Sequence, residues 1–339
     1  MIKEWNYKLK LYLNDILLSF NKSYKMYNNN DKIIYLNYAN PTRAEDWISQ
    51  FIEYYYGKSL SKKIAIYGVF GSPKILKRKS NRIKIFFSGE NLIQHNIYNT
   101  SSSDKLAEIF LEKRYRDFNE KILSDMNLSL GFIESNGKNM FRFPLWIIYF
   151  FKPNSTYQDI KERVDFINNI KSIANINKAV VINSHDNWGI RTKICDDLND
   201  TLDIVYAGKW RNNTNDLWKK YNNDKIKYVS NFKFNICAEN MDAPGYVTEK
   251  IFESYLAGSI PIYIGSNNNP EPDIILKDNV ILWDCINDNY DNLKLIKKLN
   301  KDEKFYYKYF NRPKLSKHAS EYIYDYIYNL KKHLDLILK

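Results

Sequence analysis

Cysteine and glycine are scarce in this sequence, and it contains no long apolar run. The 339 residues include three cysteines, Cys195, Cys237 and Cys285, with no C-x-x-C pair. Neither a zinc site nor a disulfide framework is therefore indicated, and a reducing compartment is expected. Eleven glycines and no repeating period argue against a solenoid or a propeller. Because no signal-peptide or membrane-spanning pattern occurs, we expect a cytoplasmic protein or one peripheral at a membrane surface.

The residues that are abundant predict a folded, basic protein with two domains. Hydrophobic residues make up 44% of the chain and aromatic residues 16%, enough for more than one core. Lysine and arginine number 51 against 39 acidic residues, which gives a net charge of +12. Such a charge suits nucleic acid, an anionic membrane face or a negatively charged small ligand, and it is equally compatible with simple solubility.

Short apolar and β-branched runs alternate with helical patterns along the chain. In the second half the runs are continuous, as expected for parallel strands covered on both faces. The predicted strands occupy 62–70, 82–90, 178–184, 202–208, 232–239, 259–265 and 279–284. This alternation predicts a parallel α/β sheet in each half, with a break at 150–159 where Pro, Asn and Ser cluster. We therefore predict two Rossmann-like domains that face each other across a cleft, with ligands at the carboxyl ends of the strands.

The predicted organisation has three parts. Residues 1–152 form the first domain, 153–311 the second domain, and 312–339 an amphipathic helical tail. An apolar stripe with near-heptad spacing runs along this tail, formed by Ile323, Ile327, Leu330, Leu334 and Ile337. The pattern leaves three uses of the stripe open: packing against the chain's own domains, self-association, or contact with an anionic membrane surface.

The stretch CAENMDAPGYVTEKIFESYLAGSIPIYIGS, at 237–266, concentrates the candidate functional residues. A buried strand ends there at Glu239 and Asn240, so these polar side chains lie at its carboxyl end. Pro244 and Gly245 then predict a turn. The strand, the turn and the helix that follows form one continuous unit of an α/β sheet.

A helix is predicted directly after this turn. Thr248 is the expected N-cap, Glu249 and Lys250 fall in the first turn, and Gly258 suits the C-terminal position. Free backbone N–H groups, the helix dipole and Lys250 then converge at a point that can hold a phosphate or diphosphate. A carboxylate such as Glu249 in a first turn is also ordinary dipole compensation, and Lys250 also fits a solvated surface.

This stretch resembles the donor-binding signature of the α1,3/4-fucosyltransferases, glycosyltransferase family 10, whose fold is of the GT-B type. The resemblance is carried by Phe234, Glu239, Asn240, Tyr246, Val247, Thr248, Glu249, Lys250, Gly258, Pro261 and Gly265. Ala238 stands where the family usually has Phe, and Pro244 where a second aromatic residue is common. Three further segments, IFFSGEN at 85–91, FRFPLW at 141–146 and VINSHDNWGIRTKICDDLN at 181–199, extend the resemblance over most of the chain.

The resemblance implies an inverting transfer of L-fucose from GDP-β-L-fucose to a glycan hydroxyl, on N-acetylglucosamine or glucose with an α1,3 linkage. Glu90 would be the base that takes the acceptor proton. Lys250, Arg191 and the helix N-terminus would neutralise the leaving diphosphate, while Glu249 would support the sugar cation or hold a donor hydroxyl. The implied donor-binding residues are Arg191, Asn240, Tyr246, Val247, Thr248, Glu249 and Lys250.

The sequence has no Asp-x-Asp, the pair with which many nucleotide-sugar enzymes bridge a divalent ion and a diphosphate. We therefore predict no obligatory metal and no cofactor besides the donor GDP-fucose.

Eukaryotic members of the resembled family carry a membrane anchor, so a bacterial or viral origin is expected for this chain.

Several alternatives stay open at this point. Another GT-B nucleotide-sugar transferase is the first alternative function, and a nucleic-acid-binding protein that uses the basic segment 72–84 is the second. That segment lacks the aromatic pattern of common RNA-binding motifs. His95 is the alternative base, and His185 is a further candidate for phosphate contact.

Overall fold

The computed structural model describes residues 33–36, 39, 44–61, 63–70, 73–92, 118–134, 139–186 and 188–338. These residues form two compact units. The first unit contains the described residues up to 92 together with 118–156 and 325–338, and the second unit is 157–324. The boundary after residue 156 falls inside the break expected at 150–159, a few residues beyond the predicted domain limit at 152.

A five-stranded parallel sheet organises the first unit, with its strands adjacent in the order β1-β2-β3-β4-β5. The strands are β1 (Ile34–Leu36), β2 (Ile64–Tyr67), β3 (Ile83–Phe87), β4 (Leu128–Gly131) and β5 (Met140–Arg142). The described helices of this unit are α1 (Ala44–Tyr56), α2 (Lys58–Ser61), α3 (Glu120–Leu123) and α4 (Leu145–Phe150). All four residues of β2 are buried, as its continuous apolar run predicts.

Aromatic side chains of α1 pack in the core of the first unit. Trp47 stacks on Phe51 with ring centroids 5.4 Å apart, and it contacts Phe143 at the same distance. The indole N–H of Trp47 donates to the carbonyl oxygen of Phe151 at 2.7 Å. This buried donor is therefore satisfied, and the contact ties α1 to the residue that follows α4.

A second five-stranded parallel sheet organises the second unit, in the order β10-β9-β8-β6-β7. The strands are β6 (Ile176–Val181), β7 (Ile204–Tyr206), β8 (Phe232–Ala238), β9 (Ile260–Ile264) and β10 (Ile281–Leu282). The helices are α5 (Tyr157–Asn169), α6 (Ile190–Leu198), α7 (Asp216–Lys219), α8 (Lys225–Val229), α9 (Lys250–Ala257), α10 (Tyr290–Lys301) and α11 (Glu303–Phe310). The two parallel sheets confirm the predicted α/β class.

Strand β8 lies in the middle of the second sheet, and all seven of its residues are buried. Phe234 of this strand, Trp283 and Tyr306 are completely buried. A strand covered on both faces cannot present side chains to solvent along its length, so ligand-binding groups have to come from the residues after its carboxyl end.

The last helix, α12 (Ala319–Leu338), is divided between the units, since residues up to 324 belong to the second and residues from 325 to the first. Four members of the predicted apolar stripe, Ile323, Ile327, Leu330 and Leu334, are at most 2% exposed. The stripe is therefore used by the chain's own core. The three-part organisation with 312–339 as a separate tail stays a prediction, and in the structure these residues are divided between the two units. Among the described residues, no helix combines the length and the apolar character that a membrane span requires.

Candidate functional site

Two loops of the second unit bring most of the predicted site residues together. β6 and β8 are neighbours in the sheet, and the chain leaves them in opposite directions, towards β7 and towards β9. Parallel α/β sheets open a crevice for ligands at such a point, outside the carboxyl ends of the strands. The loop after β6 leads into α6, which carries Arg191, and the loop after β8 leads into α9, which begins at Lys250.

Glu239, the residue directly after β8, is completely buried and accepts several hydrogen bonds. Its backbone N–H donates to the carbonyl oxygen of Ile264 at 3.0 Å and so continues the pairing of β8 with β9. Its Oε1 accepts from the backbone N–H of Thr248 at 2.7 Å. Its Oε2 accepts from the Thr248 hydroxyl at 2.6 Å and from Lys250 Nζ at 2.9 Å. One carboxylate thus joins the strand end, the loop and the first residue of α9.

The start of α9 differs from the predicted one. The helix begins at Lys250, and Glu249 occupies the N-cap position without a side-chain capping hydrogen bond. Thr248 is therefore not the N-cap, because its hydroxyl donates to the buried carboxylate of Glu239, a charged and stronger acceptor. At the other end, Gly258 has φ +73°, the left-handed conformation that the sequence predicted for the end of this helix.

Lys250 lies between two carboxylates at the edge of solvent. Its Nζ is 2.9 Å from Glu239 Oε2 and 3.7 Å from Glu249 Oε1, and it donates to the Thr248 hydroxyl at 2.7 Å. Burial lowers the pKa of Lys250, but the two carboxylates outweigh burial and the pKa is raised. Burial raises the pKa of Glu249, but Lys250 and hydrogen bonds outweigh it and the pKa is lowered. Both groups are therefore charged at neutral pH, and Lys250, whose side chain is 19% exposed, can meet an anion.

Arg191 lies in the first turn of α6 and is only 3% exposed. The carboxylate of Asp186 caps this helix, since it accepts from the backbone N–H groups of Arg191 at 3.2 Å and Thr192 at 2.7 Å. The Arg191 guanidinium donates to the carbonyl oxygen of His185 and to the side-chain oxygen of Asn240. Burial lowers the pKa of Arg191, but a guanidinium stays protonated in proteins. It also has more donors than these two acceptors use.

The other predicted donor-binding residues lie in the loop between β8 and α9. The bond from Arg191 to Asn240 joins this loop to α6. Tyr246 is 1% exposed and Val247 is not exposed at all, directly after a turn in which Gly245 has φ +70°. Glycine adopts a positive φ at little cost, so the turn can be tight. Tyr246 and Val247 therefore shape the loop from inside, while Asn240 keeps partial exposure.

A small pocket opens beside Glu249 and Lys250, within the second unit. Its polar lining also includes Lys225, Asn235 and Glu253. Burial raises the pKa of Glu253. The pocket lies between α8, α9, the end of β6 and the middle of β8, and both positive and negative groups reach it. Such a recess suits the polar groups of a small ligand.

Glu90 belongs to the first unit, where it follows β3 by three residues. The Ser88 hydroxyl donates to the carbonyl oxygen of Glu90 at 2.8 Å and accepts from the Glu90 N–H at 3.1 Å. The side chain is therefore carried on a tight turn at the carboxyl end of a parallel strand, the position that the sequence predicted. Glu90 is partly exposed. His95, the alternative base, lies outside the described residues.

Metal-ligating side chains do not cluster in the part of the chain that the structure describes. No group of three or more His, Cys, Asp or Glu residues there has the arrangement to hold an ion. The absence of an obligatory metal stays a prediction, and its basis is the pair of cations, Lys250 and Arg191, beside the loop after β8.

Sequence reasoning gave no site role to Glu239 or Asp186, although both organise the site. A signal for Glu239 was present, because a carboxylate at the end of an entirely apolar strand needs partners when it is buried. Thr248 and Lys250, which follow in the same stretch, are the donors that supply them. For Asp186 the signal was an Asp shortly before a helix, the usual side chain for capping free N–H groups.

The second unit matches a known domain. Residues 170–328 match the model of glycosyltransferase family 10 (fucosyltransferase) C-term. Over 89 residues, 26% of this chain, the sequence is 39% identical to alpha-(1,3)-fucosyltransferase FucT of Helicobacter pylori, 18% of which is covered. Over 130 residues, 37% of this chain, it is 30% identical to 4-galactosyl-N-acetylglucosaminide 3-alpha-L-fucosyltransferase 9 of Homo sapiens, 34% of which is covered. The chain thus spans about a third or less of these curated relatives.

Solved structures of alpha1,3-fucosyltransferase share the fold. One covers 89% of this chain and 89% of its own, with a TM-score of 0.57 at 19% identity. Another, solved with GDP-fucose, covers 80% of this chain and 78% of its own, with a TM-score of 0.51 at 20% identity. This likeness confirms the predicted GT-B fold class. Residues 170–328 thus match the C-terminal domain of glycosyltransferase family 10, the fucosyltransferases, which is the family that the sequence resembles.

Proposed function

We propose that this protein is a GDP-fucose-dependent fucosyltransferase that transfers L-fucose to a hydroxyl of a glycan acceptor. The observation that carries the proposal is the charged, partly exposed Lys250, held at the start of α9 by Glu239 and Thr248. A departing diphosphate needs its negative charge neutralised, and an ammonium beside a helix N-terminus supplies that neutralisation. Arg191, in the first turn of α6 and bonded to Asn240, adds a second cation.

In the proposed reaction, the acceptor oxygen forms a bond to C1 of fucose while the bond from C1 to the β-phosphate oxygen breaks. The electron pair of the broken bond leaves with GDP, whose added charge Lys250 and Arg191 offset. The acceptor proton passes to the carboxylate of Glu90. A single displacement of this kind converts a β-linked donor into an α-linked product. Glu249, kept charged by Lys250, supports the cationic sugar or holds one of its hydroxyls.

Donor binding is proposed to rest on the loop between β8 and α9. Asn240, Glu249 and Lys250 are partly exposed and are the groups of this loop that we assign to direct contact. Tyr246, Val247 and Thr248 are buried, so we assign their contribution to the shape of the loop. No metal takes part in the proposed reaction, because the two cations supply the charge that a divalent ion would otherwise provide.

The proposed acceptor residue is N-acetylglucosamine or glucose, linked α1,3. The human relative is named for transfer to the 3-position of a galactosyl-N-acetylglucosaminide, and the bacterial relative for an alpha-(1,3) linkage. A screen of purified glycans with GDP-fucose, read by mass spectrometry, tests the proposal. We expect one acceptor class to gain a deoxyhexose. Transfer from another nucleotide sugar in preference to GDP-fucose would contradict the proposal.

Membrane contact or self-association through α12 is a further proposal made from the sequence. The apolar stripe of this helix is buried, so such contact would use the opposite face, where Tyr322, Tyr328 and Leu336 are exposed. Co-sedimentation with anionic vesicles and size-exclusion chromatography test it, with Leu336→Ser as the variant. Equal behaviour of wild type and variant in both measurements would contradict a role for this face.

A further inference from the structure

The Glu239 carboxylate is surrounded by hydrogen-bond donors. Besides the two bonds from Thr248 and the one from Lys250, the hydroxyl of Tyr263 lies 3.5 Å from Oε1. Both carboxylate oxygens therefore face donors, and the side chain has no exposed surface. An ionised carboxylate offers acceptors on both oxygens, whereas a glutamine amide offers one acceptor and one donor group. The surroundings of Glu239 therefore select a carboxylate over its amide.

The backbone of Glu239 is fixed by the sheet. The Glu239 N–H donates to Ile264 of β9, and Gly265 leaves the space that the side chain fills. A side chain at Gly265 would place its Cβ 2.8 Å from Glu239 Cγ. The loop and α9 are thus bonded to a carboxylate whose backbone continues the pairing of β8 with β9.

Glu239 acts most directly on Lys250. The Lys250 ammonium donates to Glu239 Oε2 at 2.9 Å and to the Thr248 hydroxyl at 2.7 Å, while that hydroxyl donates in turn to Glu239. These contacts hold a long, flexible side chain in one place and leave its remaining proton for Glu249 or an incoming anion. Without Glu239, the Lys250 ammonium would become ordered only when the anion binds, and that ordering costs side-chain entropy.

We propose that Glu239 is a positioning residue for the donor diphosphate, which it serves by fixing Lys250 without touching the nucleotide itself. The inference rests on the proposed function, because a fixed ammonium at this place matters when a diphosphate binds there. Glu239 is completely buried, so its action passes through Lys250 and Thr248. Preorganisation of this kind has large kinetic consequences, since displacement of a group by about 1 Å can cost on the order of 10²-fold in rate.

The sign of the effect on GDP affinity separates positioning from plain electrostatics. If Glu239 merely neutralised Lys250, its replacement by glutamine would remove a negative charge near the diphosphate and tighten GDP binding. If Glu239 positions Lys250, the same replacement turns an amide N–H₂ towards a donor, displaces the ammonium and weakens GDP binding. The two accounts therefore predict changes in opposite directions for one isosteric substitution.

The experiment is a double-mutant cycle with Glu239→Gln, Lys250→Met and the double variant of the full chain, each titrated with GDP by calorimetry. We expect Glu239→Gln to weaken GDP binding by about tenfold or more when Lys250 is present. In the Lys250→Met background the same change is expected to alter the affinity by less than about twofold, because the group it positions is gone. Kinetics with GDP-fucose should show the same coupling in kcat/KM.

A control separates positioning from general destabilisation. Asp302→Asn removes a carboxylate that caps α11 in the same unit, where it accepts from the Phe305 N–H at 2.9 Å, and should leave GDP affinity unchanged. If Glu239→Gln does not fold, Glu239→Asp, which keeps both acceptor oxygens but retracts them, takes its place in the cycle with the same expected coupling.

Two results would overturn the inference while the proposed function stands. One is tighter GDP binding by Glu239→Gln, and the other is an equal loss in the presence and absence of the Lys250 ammonium. Failure of the wild type to bind GDP is a different result, because it would overturn the proposed function itself.

Discussion

Gly265 and Glu239 approach each other so closely that no side chain fits between them. An added Cβ on Gly265 would lie 2.8 Å from Cγ and 3.0 Å from Cβ of Glu239, and 3.2 Å from the hydroxyl of Tyr263. The glycine also has φ +143°, which L side chains rarely adopt. The glycine that follows β9 is thus the residue that makes room for the carboxylate that follows β8.

Gly265→Ala should therefore lower the free energy of unfolding by at least about 2 kcal/mol, through overpacking and backbone strain together. GDP affinity should fall as well, because Glu239 and Lys250 shift. The control is Gly57→Ala, where φ is +78° but no atom lies within 4 Å of the added Cβ. The control should cost about 1 kcal/mol of stability and leave GDP affinity intact. Chemical denaturation and calorimetric titration measure both, and an equal effect of the two variants on GDP affinity would contradict the expectation.

Lys250→Met should reduce turnover with GDP-fucose by about 10²–10³, because the charge of the leaving diphosphate is then left without its closest cation. The matched control is Lys227→Met on α8. The Lys227 side chain is 78% exposed and forms a surface ion pair with Asp224 at 3.4 Å. Surface pairs of this kind contribute little, so the control should keep its activity. Steady-state kinetics of both variants decide the point. Turnover near the wild-type value in Lys250→Met would remove this residue from the site.

Arg191→Lys should impair both stability and turnover, although it keeps the positive charge. A lysine cannot reproduce the fork that reaches His185 and Asn240, so the protein loses hydrogen bonds from a charged donor, each worth about 1.5–3 kcal/mol. The control Arg211→Lys changes a partly exposed arginine paired with Asp196 and should have little effect on either property. Thermal unfolding and kinetics with GDP-fucose measure the two effects, and a fully stable, fully active Arg191→Lys would contradict them.

Glu90→Gln should lower turnover by about 10²–10⁴, because an amide cannot take the acceptor proton. GDP affinity should be nearly unchanged, and the acid limb of the pH–rate profile should disappear. Glu134→Gln, an exposed carboxylate of the same unit, serves as the control. Normal turnover with weakened GDP binding would instead make Glu90 a donor ligand, and His95 would become the next candidate for the base.

The fold was largely predictable because its signals are local. Each apolar run that predicted a strand overlaps one in the structure, and these strands are β2, β3 and β6 to β10. The runs that went unnoticed are β1, β4 and β5, which have three or four residues each. β4 (LSLG) and β5 (MFR) each contain a polar residue, so no continuous apolar run marks them, and their pairing with neighbouring strands defines them.

The places of the candidate site residues were predictable, but their contacts were not. Asn240, Glu249 and Lys250 follow a buried strand, where polar residues gather at one edge of a parallel sheet, and the family resemblance pointed to Arg191. Their roles in the site stay a prediction. The sequence did not indicate that Thr248 would bond to Glu239 instead of capping α9. The partner of the Thr248 hydroxyl depends on which side chains are buried together, and the local spacing of residues does not predict that burial.

Calorimetric titration of the wild type with GDP, UDP and CMP in the presence of EDTA tests whether this site binds GDP without a metal. We expect saturable binding of GDP without any divalent ion, abolished or strongly weakened in Lys250→Met, and weaker binding of the other two nucleotides. Absence of GDP binding in EDTA that is restored by a divalent ion, or a preference for UDP or CMP, would contradict this expectation.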